Sequence, residues 1–159
     1  MCAVSLICGA KANALEVVVP DDVEKLNEAF GKAIIARDHE ALDVLLAPWI
    51  SVAAALDKVK EAVDETCREW EIDEALWPTE FESSSGSLSY DDLRAPSDFA
   101  PGVDIPAQVT ADNYEGWQVI TAFPPEGEVE FDAYFDAWFA VVRLADGLHV
   151  GSLEIVDPD

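Results

Sequence analysis

The stretch from Phe131 to the C-terminus constrains the fold of this chain more than any other. FDAYFDAWFAVVRL and LHVGSLEIVD both read with a period of two, and Asp146-Gly147 between them suits the positive φ values of a tight hairpin turn. The pattern predicts a long C-terminal hairpin, Phe131 to Leu144 against Leu148 to Val156, joined at Asp146-Gly147. Phe131, Ala133, Phe135, Ala137, Phe139 and Val141 fall on one face of its first arm. Tyr134, Trp138, Ala140 and Val142 fall on the other, with Asp132 and Asp136. A lone domain buries one such face against its helices, so large apolar side chains on both predict a homodimer through the sheet face.

Upstream the period becomes helical. Pro20 and Asp21-Asp22 mark a start, after which Val23, Leu26, Phe30, Ala33 and Ile34 form one apolar stripe. Lys25, Glu28 and Lys32 take the opposite side. Arg37-Asp38-His39 reads as the break, with His39 a surface or capping residue that favours the C-terminal end of this helix. Leu42, Leu45 and Leu46 carry a second, shorter helix from Glu40 to Ala47, which Pro48 stops. A third runs from Ser51 to Trp70 through Leu56, Val59, Val63 and Cys67.

Between Glu71 and Asp112, SSSGS and the prolines at 96, 101 and 106 predict long loops. Strand fragments are expected at Thr79 to Glu82 and Ser87 to Tyr90, and a full strand at Trp117 to Phe123. Helices first and strands last predict an α+β fold, with N-terminal helices packed on a strongly curved antiparallel sheet. The 159 residues make a single domain, with 1–19 an extended lead-in.

Charge narrows the partners. With 33 acidic against 9 basic side chains, the net charge of -24 excludes nucleic acid and an anionic membrane surface, which both require clustered Lys and Arg. Half of the residues are apolar, enough for a core and too many for a disordered acidic tail. The acidity fits a solvated surface, a salty cytoplasm or a basic protein partner. Cys2, Cys8 and Cys67 show no metal or redox spacing and fit reduced thiols, hence a cytoplasmic location. The apolar run before Ala12-Asn13-Ala14 is short and has no basic segment ahead of it, so it is not read as a secretory leader. No run is long enough to span a membrane.

At this point AFGKAIIARDHEALDVLLAP resembles the opening helices of the ketosteroid-isomerase-like (SnoaL-like) superfamily, and WFAVVRLADGLHVGSLEIVD resembles its final hairpin. The matching features are the Arg37-Asp38 step, the closing turn Leu45-Leu46-Ala47-Pro48 and the Asp-Gly turn. The resemblance implies a cone-shaped fold whose sheet curls around a cavity for a small hydrophobic ligand. It also implies, for the superfamily's enzymes, an isomerase or dehydratase type of activity on a small apolar substrate. Its isomerases use a carboxylate base with a Tyr hydroxyl and a protonated carboxylic acid as oxyanion donors. Here Phe30 stands where a first-helix Tyr is expected, and Asp38 matches the interhelix step instead of a base.

The weak catalytic candidates are His149, Asp132, Tyr134 and Asp136. His149 is either a base or polar anchor in the cavity, or a partly exposed strand residue. Asp132, Tyr134 and Asp136 alternate with Trp138 and are expected on one side of the strand. The two carboxylates stand about 13 Å apart, too far to share a proton. The acids Glu126, Glu128, Glu130 and Asp132 lack a calcium-loop pattern, so no metal is expected. There is no phosphate loop or nucleophile elbow, and no cofactor is expected. The readings in competition are binding of a small apolar ligand or protein, an isomerase-type enzyme, and an acidic immunity-like protein that binds a basic partner.

Overall fold

The computed structural model describes residues 18–69, 77–86, 88–94, 105–125 and 134–156. Three helices come first: α1 (Val23–Ala36), α2 (His39–Leu45) and α3 (Val52–Glu69). They are followed by β1 (Glu80–Gly86), a short α4 (Tyr90–Arg94), β2 (Tyr114–Phe123), β3 (Phe135–Leu144), β4 (Gly147–Val150) and β5 (Glu154–Val156). The result is an α+β arrangement with helices N-terminal to an open five-stranded antiparallel sheet of order β1-β2-β3-β4, in which β5 also pairs with β3.

The helix boundaries follow from capping chemistry. Asp22 accepts a hydrogen bond from the Lys25 amide at 3.1 Å and starts α1. At its other end Arg37 adopts a left-handed conformation, φ 52°, so that Arg37 N–H reaches Ile34 O and Asp38 N–H reaches Ala33 O. Trp77 secures this end, its indole donating to Ile34 O at 3.0 Å beneath the Arg37 guanidinium. Asp38 then caps α2 through the Ala41 amide. His39 therefore opens α2 and does not close α1, a correction to the expected role. Ser51 caps the start of α3 through Ala54 N–H.

The helices and the inner sheet face enclose the main core. Leu26, Phe30 and Ile34 from α1, Leu42 and Leu45 from α2, and Val59 and Val63 from α3 meet Ile120, Phe135, Ala137, Phe139 and Val141. Phe30 meets Phe139 edge-on with ring centroids 5.1 Å apart, and neither has exposed surface.

The outer face has its own apolar cluster. Trp117, Ala140 and Val142 pack with Ala47 and Val109, flanked by Leu88, Tyr90, Leu93, Ile105, Tyr114 and Trp138. The chain's own 88–94 and 105–114 segments pack on this face.

The Ser-rich run is not all loop: β1 extends through Ser83-Ser84-Ser85 to Gly86, paired with β2 along its length. Of the strand expected at Ser87 to Tyr90, Ser87 lies outside the described residues, Leu88 and Ser89 form no strand, and Tyr90 begins α4. At the C-terminal end the turn residues are Ala145-Asp146, since Gly147 already pairs with Leu144. The return arm is interrupted between β4 and β5 by one extra residue, where Ser152 Oγ accepts from Ala140 N–H at 3.0 Å. Phe131, Asp132 and Ala133 lie outside the described residues.

Candidate functional site

The sequence candidates among the described residues, His149, Tyr134 and Asp136, do not converge. His149 pairs with Val142 across β3 and β4 and lies on the outer sheet face, away from the helices. It is 5 % exposed. Its Nε2 stands 2.7 Å from Asp146 Oδ1, while Nδ1 is buried with no protein partner among the described residues. The hydrogen bond from His149 holds the Asp146 carboxyl below the usual carboxylate range. Asp136 accepts a 2.6 Å hydrogen bond from Thr121 Oγ1 on the neighbouring strand. Along β3 it lies six steps from the residue opposite His149, roughly 20 Å, so the two cannot act on one small molecule.

Tyr134 is not on a common side with Asp136. It precedes β3 and is buried in the helix-facing core, its Oη 3.8 Å from Cys67 Sγ. Asp132 lies outside the described residues, as do Glu126, Glu128 and Glu130. Among the described residues no group of three His, Cys, Asp or Glu side chains is placed to hold a metal. No described helix is long and apolar enough to cross a membrane.

A different set of residues does come together, where α1 lies over β1. Phe81, Ser83 and Ser85 face α1, because they pair with Ala122, Ile120 and Gln118, whose side chains are in or beside the inner core. Gly31 on α1 gives the Phe81 ring its seat: a Cβ at this position would collide with the ring. Beyond the ring the two elements part. Asp22, Glu24, Lys25, Glu28, Phe81 and Ser83 line a groove of about 400 Å³ open to solvent.

The groove is acidic by composition and by pairing. Its one cation, Lys25, lies 4.0 Å from Asp21, and Glu28 is 3.5 Å from Lys32. Both contacts are exposed and weak. Glu80 and Glu82 add carboxylates on the opposite face of β1. Behind the groove lies a buried polar link: Asn27 Nδ2 and Ser85 Oγ both donate to Gln118 Oε1, at 2.7 and 3.0 Å. This link ties α1 to β1 and β2.

The two sides of the sheet are finished differently. Ala47 N–H donates to Val150 O and Leu148 N–H to Pro20 O, which satisfies the outer edge of β4. Among the described residues nothing pairs with the outer edge of β1.

The groove was not legible in the sequence, whose alternating acids Glu126, Glu128, Glu130 and Asp132 are the more prominent acidic feature. The available signal was weak: Glu24 and Glu28 stand one helical turn apart, but Lys25 and Lys32 interleave with them on α1. Comparison with protein-family models, curated proteins and solved structures finds no match.

Proposed function

We propose that this chain is a binding module for a basic protein partner. The observation that carries the reading is the α1–β1 groove, with Asp22, Glu24 and Glu28 against one lysine, beside a strand edge that bears Glu80 and Glu82. A chain of net charge -24 draws such a partner in by its long-range field, and the groove supplies the local contacts.

The competing reading is a ketosteroid-isomerase-like cone with a long terminal hairpin, closed around a small apolar ligand or substrate. The Arg37-Asp38 step between α1 and α2 favours it. Against it, Phe30, Phe139, Leu26, Leu42, Ile120 and Val59 fill the space between helices and sheet. The dispersed His149, Asp136 and Tyr134 offer no base-and-donor set.

An alternating lysine–valine octapeptide and its glutamate–valine counterpart provide the test, by calorimetric titration at low and moderate salt. The basic peptide is expected to bind and to weaken about 10-fold or more as salt rises from about 0.02 to about 0.2 M, since screening acts on exposed charges. The acidic peptide is expected not to bind. Equal binding of both peptides, or salt-independent uptake of an apolar dye in place of the basic peptide, overturns the reading.

A further inference from the structure

We propose that the basic partner presents an extended segment that adds to β1 as a further strand. This rests on the basic-partner reading and specifies how the site is used. An edge strand carries a row of backbone donors and acceptors ready for another chain. Here β1 is seven residues long and unpaired on its outer side among the described residues, whereas the β4 edge is satisfied by Ala47 and Pro20.

Strand addition takes affinity from main-chain hydrogen bonds and specificity from side chains that alternate between two faces. Both faces beside β1 call for cations. On the inner face the incoming side chains meet the groove, with Glu24 and Glu28 and the stem-accepting ring of Phe81. On the outer face they meet Glu80 and Glu82.

Polar and charged residues on an edge strand often serve to discourage pairing, and against a second copy of this chain they do so. A second β1 brings its own glutamates and α1 acids to the same seam, and like charges across a strand pair are destabilising. A lysine- or arginine-bearing strand reverses the sign of those contacts on the face that its cations take. Among the described residues the edge is therefore unfavourable to a second copy and favourable to a basic segment.

The test compares the lysine–valine octapeptide with an analogue whose backbone nitrogens are methylated, which keeps the charges and removes the ladder donors. The parent is expected to bind at least about 10-fold more tightly than the methylated analogue, the equivalent of 1.4 kcal/mol. On saturation it is also expected to slow amide exchange within Phe81 to Ser85. A Glu80→Lys/Glu82→Lys double variant, altered only at exposed positions, is expected to keep its circular dichroism and lose binding of the parent peptide. Equal binding of parent and methylated peptides, with no new protection in β1, overturns strand addition and leaves the basic-partner reading standing. Failure of the parent peptide to bind at low salt overturns both.

Discussion

Tyr114 turns its hydroxyl toward the chain and donates to Leu88 O at 2.6 Å. Burial, with a smaller contribution from the Asp92 charge, pushes its phenol up to about 12. The folded state holds this proton more tightly than the unfolded chain does. The resulting stabilisation is complete below the ordinary tyrosine value near about 10 and is lost as pH rises through about 12. Ultraviolet titration is expected to show a phenol ionising near that higher pH, and Tyr114→Phe is expected to remove that step. An unchanged titration in the variant would contradict the assignment. Asp146 runs the other way. Its carboxyl is lowered by His149, so its contribution is present above the ordinary carboxylate range and fades as pH falls through the lowered value. Neither His149 nor Asp146 could be assigned from sequence beyond nearness to the turn, because which face a hairpin residue takes depends on register. The turn lies at Ala145-Asp146, so Leu148 and Val150 point to the helices and His149 to the outer face.

At the scale of elements, β1 depends on α1 for its position. Gly31→Ala gains about 1 kcal/mol in helix propensity and forces the Phe81 ring from its seat, an overpacking that costs roughly 1–3 kcal/mol. The net expectation is a small loss of stability by urea unfolding, with faster amide exchange confined to β1 and weaker binding of the basic peptide. Exchange that rises uniformly over the sheet would contradict a local role for this contact. Asp38→Ala, which removes the α2 cap, is expected to cost about 1 kcal/mol without touching the groove. The α1 stripe and the alternation of β3 were legible because an amphipathic face writes its period into the sequence. The strand β1 was legible only at its start, within the expected fragment at Thr79 to Glu82; its Ser83-to-Gly86 half was not, since an edge strand with exposed serines buries too little to leave an alternating pattern. The helix α4 and the 105–114 segment were equally hidden: what marks them is their contact with Trp117, Ala140 and Val142, distant in sequence.

For the whole molecule, charge and packing set different properties. The interior is filled by two apolar clusters on either side of one sheet, so stability comes from burial and is opposed by self-repulsion at -24. Melting temperature is expected to rise as salt increases from about 0.02 to about 0.5 M, because the Debye length shortens to a few Å, while partner binding weakens over the same range. Stability and binding thus respond to salt with opposite sign. A protein stabilised mainly by surface ion pairs would instead melt earlier as salt rises. The sequence showed the acidity but not its placement, since a count of carboxylates carries no information about which helix lies over which strand. The central claim, that a basic segment docks at the α1–β1 groove and edge, is tested most directly by titrating the isotope-labelled chain with the lysine–valine octapeptide and following its amide resonances. The account predicts shifts concentrated at Asp22 to Glu28 and at Glu80 to Ser85. Shifts centred instead on the helix–sheet core around Phe30 and Phe139, or on the β3–β4 end around His149, would contradict it.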